Sequence, residues 1–344
     1  MGKFFFMKQA LYLAKKGIGN TSPNPMVGAM VVRNGKIIAE AYHHYAGGPH
    51  AESLALEKAG IRAQGATLYV TLEPCVHFGK TPPCVAAIIQ SGVKEVHIAT
   101  LDPNPIVYGN GKRQLEKAGI RVNIGELEKE AKNLNEAFIT YHTKKRPFII
   151  AKWAMTLDGK IATHTGDSKW ISSPKSRQFV HRLRSRVDAI LVGVETVIHD
   201  NPALTVRLPH YKGKQPLRII LDRSNRTPPN SVVLKNLENT VIFHERNVSS
   251  LMKLLYERNI LSVLVEGGGT VLASFFESKL VDKVYAFIAP IIVGGKESVT
   301  PVEGVGVDHI VNAHHIVQTT FQKYGSDILM HGYIKESYEA IFNH

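Results

Sequence analysis

A histidine, a glutamate and the two cysteines of the chain have the types and the order of a catalytic zinc centre. Glu52 follows His50 by two residues, and Cys75 and Cys84 each follow a proline. One imidazole and two thiolates can hold Zn²⁺ and leave its fourth position to water, as in catalytic rather than structural zinc sites. Glu52 would carry a proton between that water and a leaving amine. The pattern predicts a hydrolytic deaminase with Glu52 as its catalytic residue.

The spacing of the cysteines leaves two interpretations open. Both cysteines of the chain fall at positions that the motif needs, yet free cysteines are often only small buried hydrophobes. The simple deaminase signature has two residues between its cysteines, whereas residues 76–83 intervene here. This insertion either disrupts the site or belongs to a particular branch of these enzymes.

Length and composition indicate two ordinary globular domains. The chain has 344 residues, of which 44% are hydrophobic and 21% charged, and these values argue against disorder and coiled coil. Its apolar runs are too short to cross a bilayer, and lysines interrupt the N-terminal stretch that begins like a signal peptide. We therefore expect a cytoplasmic protein without a membrane partner.

The net charge of +13 raises the question of a nucleic-acid partner, because dense lysine and arginine neutralise phosphates. The excess is spread over both halves of the chain, and the longest basic run is only Lys144-Lys145-Arg146. A phosphorylated small molecule therefore explains the charge as well as a polynucleotide does.

The first half alternates short β-rich runs with helical patterns, which is typical of a mostly parallel sheet covered by helices. His50 and Glu52 are predicted to open one helix and Cys84 another, so the positive end of a helix dipole favours a thiolate at Cys84. The predicted helices are 5–17, 50–60, 83–91, 112–118 and 127–141, and the predicted strands are 26–33, 36–42, 66–71, 94–99 and 120–124.

A polar segment at 143–147 precedes a new buried strand, and we place a domain boundary there, with domains at 1–146 and 147–344. The glycines at 267–269 follow a predicted strand and precede a predicted helix, so backbone N–H groups could approach a phosphate there. A glycine run alone more often marks a tight turn. The predicted strands of this second α/β domain are 188–193, 217–221, 240–243, 261–265 and 282–288, and its predicted helices are 174–185, 249–258 and 270–278.

In these motifs the chain resembles the bifunctional deaminase/reductase family of riboflavin biosynthesis, over nearly its whole length. The matching segments include 24–28, the insertion at 77–84 and 102–105, whereas Ser53, Tyr108 and Asn110 depart from the family pattern. The resemblance implies a cytidine-deaminase-like three-layer fold for the N-terminal domain. It also implies a set of residues that hold the diaminopyrimidine ring and the ribose phosphate around the zinc. These are Asn24, His43, His77, Lys80, Asp102 and Asn104. Without the resemblance, Asn24 and Asn104 could equally be turn residues, and Lys80 a solvated loop charge.

The second half resembles the reductase of the same family, which has a dihydrofolate-reductase-like α/β fold rather than a Rossmann fold. The matching segments are 152–160, 168–173, 181–184, 193–197, 200–207 and 265–269. The resemblance implies NADPH as a cofactor, in addition to one Zn²⁺ in the first domain. The implied NADPH-binding residues are Ala154, Trp170, Thr196, Asp200, Ser224, Gly267, Gly268, Gly269, Thr270, Val271 and Leu272. The implied residues for the reductase substrate are Lys152, Ser168, Arg184, Leu204, Arg207 and Glu266.

The resulting hypothesis is an enzyme with two consecutive steps. The first domain would deaminate 2,5-diamino-6-ribosylamino-4(3H)-pyrimidinone 5′-phosphate, and the second would reduce the ribosyl group of 5-amino-6-(5-phosphoribosylamino)uracil to ribityl with NADPH. The alternatives are a tRNA or nucleoside deaminase with an accessory domain, and a binding protein with a degenerate site. Glu52 argues against the degenerate site, because a structural zinc has no use for a proton carrier. We expect a small phosphorylated pyrimidine as the partner, no nucleic acid, and a homo-oligomer.

Overall fold

The computed structural model describes residues 3–78, 82–235, 237–245 and 247–343. The chain divides into two compact units, Met1–Lys145 and Arg146–His344, and each combines helices with a sheet. In the described ranges, no helix has the length and apolar character needed to span a membrane.

The first unit is built on a mixed sheet of short strands. The strands are β1 (Gly28–Arg33), β2 (Lys36–Tyr42), β3 (Thr67–Val70), β4 (Glu95–Ile98) and β5 (Arg121–Ile124). The helices are α1 (Lys3–Ala14), α2 (Ala51–Ala59), α3 (Cys84–Gln90), α4 (Asn110–Lys117), α5 (Glu128–Leu134) and α6 (Glu136–Lys144). The strand order is β2-β1-β3-β4-β5. β3, β4 and β5 are parallel, whereas β1 is antiparallel to both of its neighbours.

Helix α1 packs closely on this sheet because of a glycine at the start of β1. Phe6 and Met7 of α1 share a buried core with Met30 of β1. A Cβ atom at Gly28 would lie 2.0 Å from the carbonyl oxygen of Ala10, so any larger residue there would push the helix away from the strand. The glycine of the 24–28 motif therefore has a packing role.

The helix predicted at 127–141 is wrong as a single helix, because Asn135 divides it into α5 and α6. Asn135 leaves helical geometry with φ of −111°. Its side-chain oxygen accepts a hydrogen bond from the Met26 backbone N–H at 2.8 Å, and its amide donates to the Met26 carbonyl at 3.0 Å. This contact satisfies backbone groups within the 24–28 motif, and a local helical pattern cannot reveal it.

The second unit contains one long sheet. Its strands are β6 (Phe148–Thr156), β7 (Ala189–Gly193), β8 (Leu217–Leu221), β9 (Thr240–Phe243), β10 (Ser262–Val265), β11 (Lys283–Ala289), β12 (Ile316–Tyr324) and β13 (Asp327–Ile334). Its helices are α7 (Pro174–Arg184), α8 (Val194–Asp200), α9 (Val248–Glu257), α10 (Gly269–Glu277) and α11 (Lys335–Phe342). The strand order is β12-β13-β11-β6-β10-β7-β8-β9. The strands from β11 to β9 are parallel, and the β12–β13 hairpin adds antiparallel pairs at one edge.

The core of the second unit lies between β6 and the helices α9 and α10. Ile149 and Ala151 of β6 pack with Leu251 of α9 and Phe275 of α10. Lys152 belongs to the same strand but points to the opposite face, because successive side chains of a strand alternate. The strand thus supplies core residues on one face and site residues on the other.

Candidate active sites

The three predicted zinc ligands lie together in the first unit. His50 directly precedes α2, Cys84 is the first residue of α3, and Cys75 lies between β3 and α3. His50 Nδ1 is 3.1 Å from Cys84 Sγ and 3.5 Å from Cys75 Sγ. The three donor atoms all lie within 4.8 Å of one another, and neither cysteine is in a disulfide. One imidazole and two thiols in this cluster fit a zinc ion that keeps one coordination position for water.

The start of α3 brings the two cysteines together. The Cys84 backbone N–H donates to Cys75 Sγ at 3.3 Å, and the Ser53 hydroxyl lies 3.9 Å from Cys84 Sγ. The hydrogen bond with Cys84, together with that from His50, lowers the pKa of Cys75 to about 4. The hydrogen bond with Cys75 and burial raise the pKa of Cys84. The thiolate expected at Cys84 concerns the zinc-bound site, where a cysteine ligand is deprotonated, and it stays a prediction.

Glu52 is buried in the first turn of α2, with 4% of its surface exposed. Burial raises the pKa of its carboxyl group to about 7, although the charge of His50 and a hydrogen bond with Cys84 oppose this effect. A carboxyl group with a pKa near neutrality can both accept and return a proton at physiological pH. Glu52 therefore has the titration behaviour that a proton carrier needs.

Asn24 and His43 form a pair next to the zinc ligands. His43 Nδ1 donates to the carbonyl oxygen of Pro49 at 3.0 Å, and the Asn24 amide donates to His43 Nε2 at 3.1 Å. Burial lowers the pKa of His43, which agrees with a neutral ring that donates at Nδ1 and accepts at Nε2. The rings of His43 and His50 are 5.5 Å apart and nearly perpendicular. The structure therefore brings these two sequence-predicted residues to the metal cluster.

A buried carboxylate holds the loop that carries Asp102 and Asn104, and the sequence analysis did not identify it. Glu73 accepts hydrogen bonds from the backbone N–H groups of Asp102 at 3.3 Å, Gly109 at 3.0 Å and Lys112 at 3.1 Å. Burial raises the pKa of Asp102 to about 7, and the nearby charge of Glu73 adds to this effect. Glu73 thereby links the segment that carries Cys75 to the segment 102–112, which is a loop followed by the first turn of α4.

The remaining residues predicted for the deaminase substrate are placed differently. Asp102 Oδ1 accepts from the Asn104 N–H at 2.8 Å, and Asn104 Oδ1 accepts from the Ile106 N–H at 3.1 Å. Asn104 thus has the turn role that its sequence context left open. His77 is exposed, and Lys80 lies outside the described residues.

Charged residues from β6, from α7 and from the segment after β10 form a single network in the second unit. Arg184 of α7 donates to both carboxylate oxygens of Glu266, through Nε at 2.7 Å and Nη2 at 2.9 Å. Lys152 Nζ of β6 is 3.9 Å from the same carboxylate. Burial opposes ionisation of Glu266, but these two cations lower its pKa to about 2. In this network the guanidinium of Arg184 and the partly buried ammonium group of Lys152 share the carboxylate of Glu266.

The other residues predicted for the reductase substrate are Leu204 and Arg207, in a segment that this network reaches, and Ser168, which contacts Asp200. Leu204 is buried with a positive φ of 50°, and Arg207 is exposed. Arg184 Nη1 donates to the carbonyl oxygen of Thr205 at 3.2 Å, so the network reaches the segment 204–207. Ser168 Oγ donates to Asp200 Oδ1 at 3.2 Å, which joins one predicted substrate residue to one predicted cofactor residue.

Two glycines at adjacent strand ends allow α10 to begin close to the sheet. A Cβ atom at either Gly193 or Gly267 would lie 2.7 Å from the side chain of Val271. At Gly268, by contrast, no atom of the described residues lies within 4 Å of the Cβ position. This open glycine directly precedes the N-terminus of α10, where backbone N–H groups and the helix dipole favour a phosphate. The backbone is thus open at Gly268, whereas the side chain of Glu303 lies against the next residue, Gly269.

Further residues predicted to bind NADPH surround this helix start or lie on neighbouring elements. Trp170 is 69% exposed, with the Arg177 guanidinium 4.5 Å from its ring centre. The Thr270 hydroxyl donates to a carboxylate oxygen of Glu303 at 2.8 Å, which brings the segment around 300–303 to the helix start. Ala154 lies on β6, Thr196 on α8, and Ser224 in the segment after β8.

The geometry of the first unit defines a zinc-dependent deaminase domain of the cytidine deaminase class. Family models agree: the zinc-binding region of cytidine and deoxycytidylate deaminases matches residues 3–100, and the RibD C-terminal domain matches residues 147–330. The chain belongs to the RibD family of riboflavin biosynthesis proteins.

Relatives of known name cover almost the whole chain. The riboflavin biosynthesis protein RibD of Aquifex aeolicus is 46% identical, over 94% of this chain and 96% of its own length. The deaminase/reductase structure from Thermotoga maritima superposes with a TM-score of 0.87 at 44% identity, and one Acinetobacter baumannii RibD structure with 0.91 at 35% identity. Each of these two comparisons covers 96% of this chain and 98% of the other.

These comparisons confirm the expected family and fold class, and with them an enzyme that is both a zinc-containing deaminase and an NADPH-using reductase. The insertion between the cysteines is compatible with a cluster of His50, Cys75 and Cys84, and its assignment to a branch of the deaminases stays a prediction. An accessory second domain of another kind is not supported, because the second half matches the RibD C-terminal domain.

Proposed function

We propose that the chain catalyses two successive steps on a phosphorylated pyrimidine. The first step removes the 2-amino group of 2,5-diamino-6-ribosylamino-4(3H)-pyrimidinone 5′-phosphate, and the second reduces the ribosyl group of 5-amino-6-(5-phosphoribosylamino)uracil to ribityl. The single observation that carries the proposal is that His50, Cys75 and Cys84 cluster within 4.8 Å of one another, next to a buried acid in Glu52. The similar Thermotoga maritima protein is named for both activities.

We assign the deaminase to residues 1–146 and the reductase to residues 147–344. The division of the chain into Met1–Lys145 and Arg146–His344 supports this assignment, because each unit contains one of the two residue clusters.

In the deaminase, His50, Cys75 and Cys84 hold Zn²⁺, which when bound lowers the pKa of water. The carboxyl group of Glu52 takes a proton from the attacking water and delivers it to the leaving amine. Its pKa of about 7 allows both transfers near neutral pH. The remaining residues of this site bind and orient the substrate. They are Asn24, His43, His77, Lys80, Asp102 and Asn104.

In the reductase, the phosphate of the substrate binds the exposed guanidinium of Arg207. Arg184 has a different task, because Glu266 already occupies two of its donors and the Thr205 carbonyl a third. It holds Glu266 towards the substrate, together with Lys152. Ser168 and Leu204 complete this part of the site.

NADPH supplies the hydride, and the protein supplies orientation and charge. The residues that hold the cofactor are those implied by the family resemblance, with the helix start at α10 facing a phosphate. They are Ala154, Trp170, Thr196, Asp200, Ser224 and the loop 267–272. The cytoplasmic location and the homo-oligomer stay predictions, which cell fractionation and sedimentation would check.

A coupled assay on the zinc-loaded protein tests the proposal. With the diaminopyrimidine ribosyl phosphate as substrate, we expect ammonia release first, followed by NADPH oxidation that requires the deaminated product. Ammonia release without NADPH oxidation would contradict the reductase step, and NADPH oxidation before deamination would contradict the order. No ammonia release at all would contradict the deaminase assignment.

A further inference from the structure

The segment 204–207 carries two residues of the proposed reductase site, Leu204 and Arg207, yet it belongs to no strand or helix. Its backbone is held by side chains instead. The Val206 N–H donates to Gln215 Oε1 at 2.7 Å, and Gln215 Nε2 donates to the Val206 carbonyl at 3.3 Å. The side chain of Gln215 thus pairs with both backbone polar groups of Val206, as the backbone of a neighbouring strand would.

Helix α7 holds the same segment on both sides of Val206. Arg184 donates to the Thr205 carbonyl at 3.2 Å, and the Arg207 N–H donates to His181 Nδ1 at 3.2 Å. His181 and Arg184 are three residues apart in the helix, so their side chains share one face. From Thr205 to Arg207, consecutive backbone polar groups are therefore bonded to only three side chains.

The bond from Arg207 requires a neutral histidine. A ring nitrogen accepts a hydrogen bond only when it carries no proton. Burial, together with the charges of Arg184 and Arg207, lowers the pKa of His181 to about 4, although the charge of Glu266 acts in the opposite direction. His181 is therefore a neutral acceptor throughout the physiological range.

We propose that His181 and Gln215 are positioning residues of the reductase, which fix the backbone of 204–207 so that Arg207 presents its guanidinium to the substrate phosphate. The inference rests on the proposed role of Arg207. If an irregular segment becomes ordered only when the substrate binds, the affinity of the protein for the substrate is lower, because the loss of conformational entropy opposes binding. Side chains that order the segment beforehand remove this cost, so their loss acts on substrate affinity.

The first test is a pair of substitutions at one position. His181→Phe keeps an aromatic ring but removes the acceptor, whereas His181→Asn offers its side-chain oxygen near the position of Nδ1. We expect His181→Phe to raise KM for the reductase substrate about tenfold, with kcat and the KM for NADPH changed less than about twofold. His181→Asn should restore most of the loss. His309→Phe changes an exposed histidine and serves as the control.

A second variant and a binding measurement guard against a simple folding defect. Gln215→Met has a similar shape but makes neither bond to Val206, and we expect the same rise in KM as in His181→Phe. Calorimetric titration of the reductase substrate without NADPH should show a matching rise in Kd. Ammonia release by the same protein samples should be unchanged, because the deaminase lies in the other unit.

The experiment separates the inference from the function on which it rests. If Arg207→Ala leaves the KM for the substrate unchanged, the proposed role of Arg207 fails. If Arg207→Ala raises KM but His181→Phe and Gln215→Met do not, only the positioning inference is overturned. It is also overturned if His181→Phe and His181→Asn behave alike, or if the effect of His181→Phe grows as the pH falls from about 8 to 6, since a neutral acceptor does not titrate there.

Discussion

Among single residues, Glu52 shows how burial and position produce a chemical property. The side chain lies in the first turn of a helix, two residues after a zinc ligand, with only 4% of its surface exposed. In water a glutamate would be ionised at neutral pH, but burial raises the pKa of this one to about 7. The same carboxyl group can therefore exist in both protonation states during one catalytic cycle.

Replacement of Glu52 by glutamine should abolish proton transfer but leave the site intact. Glutamine keeps the size of the side chain and cannot carry a proton, so we expect ammonia release to fall by about 10²- to 10⁴-fold. Zinc content and NADPH oxidation with the deaminated substrate should not change. Glu57→Gln, an exposed position on the same helix, is the control. Undiminished deamination with zinc bound would show that another group carries the proton.

Among the elements, the loop after β4 and the first turn of α4, together residues 102–112, depend on a residue outside them. Glu73 accepts three backbone N–H groups of this segment, and a Cβ atom at Gly111 would lie 2.4 Å from the carbonyl oxygen of Pro74. Residues 102–112 thus pack directly on the segment that leads to Cys75. Their position is set by tertiary contacts and not by their own turn residues alone.

The substitution Glu73→Gln should loosen the segment 102–112. Glutamine has one acceptor oxygen where glutamate has two, and its amide would face backbone donors, so about 1–3 kcal/mol of hydrogen bonding is lost. We expect the KM of the deaminase substrate to rise about tenfold or more, with reductase activity unchanged. Zinc content must be measured in parallel, because Glu73 is close in sequence to Cys75. Glu130→Gln, an exposed glutamate of α5, should have no effect, and a normal KM for Glu73→Gln with full zinc would contradict the prediction.

For the chain as one molecule, the two clusters lie in separate compact units and only the first contains the predicted metal ligands. A chelator that removes zinc should therefore stop ammonia release and leave NADPH oxidation with the deaminated substrate unaffected. Added Zn²⁺ should restore deamination. The measurement is both assays on one chelated sample, with a mock-treated sample as the control. Parallel loss of both activities would show that the second unit also depends on the metal.

Two histidines should each contribute less to stability in mild acid. Burial lowers the pKa of His142 in the first unit, and of His181 in the second, from 6.5 to about 4. At each of these two residues the unfolded chain binds more protons between the two values, so the contribution of the histidine is full above pH 6.5 and decreases as the pH falls towards 4. The buried acids Glu52 and Asp102, whose pKa is raised to about 7, act in the opposite direction. Both rings are partly exposed, so we expect a loss of only about 1 kcal/mol per histidine between pH 7.5 and 5.

Denaturant unfolding at the two pH values measures this effect. Relative to the unsubstituted chain, His142→Gln should have a higher ratio of stability at pH 5 to stability at pH 7.5, whereas His309→Gln, at an exposed position, should not differ. The same pH dependence for His142→Gln and the unsubstituted chain would contradict the assigned direction of the His142 pKa shift.

The amino-acid sequence was sufficient for the zinc cluster and for most of the regular elements. His50, Cys75 and Cys84 could be identified because metal chemistry restricts the residue types, and because helix starts at 51 and 84 follow from local pattern. The strands β1 to β5 and β7 to β11 could also be predicted, because side-chain periodicity is a local property of the sequence. The charged and glycine residues of the second domain were found through family resemblance rather than through physics.

The folded chain added what depends on contacts between distant residues. Glu73, His181 and Gln215 were missed because their partners are backbone groups of other segments. The residue types of a sequence do not indicate which backbone groups a side chain will contact. The division of one predicted helix at Asn135, the antiparallel direction of β1 and the β12–β13 hairpin have the same origin. Buried backbone groups need hydrogen-bond partners, and which segment supplies each partner is set only when the chain folds.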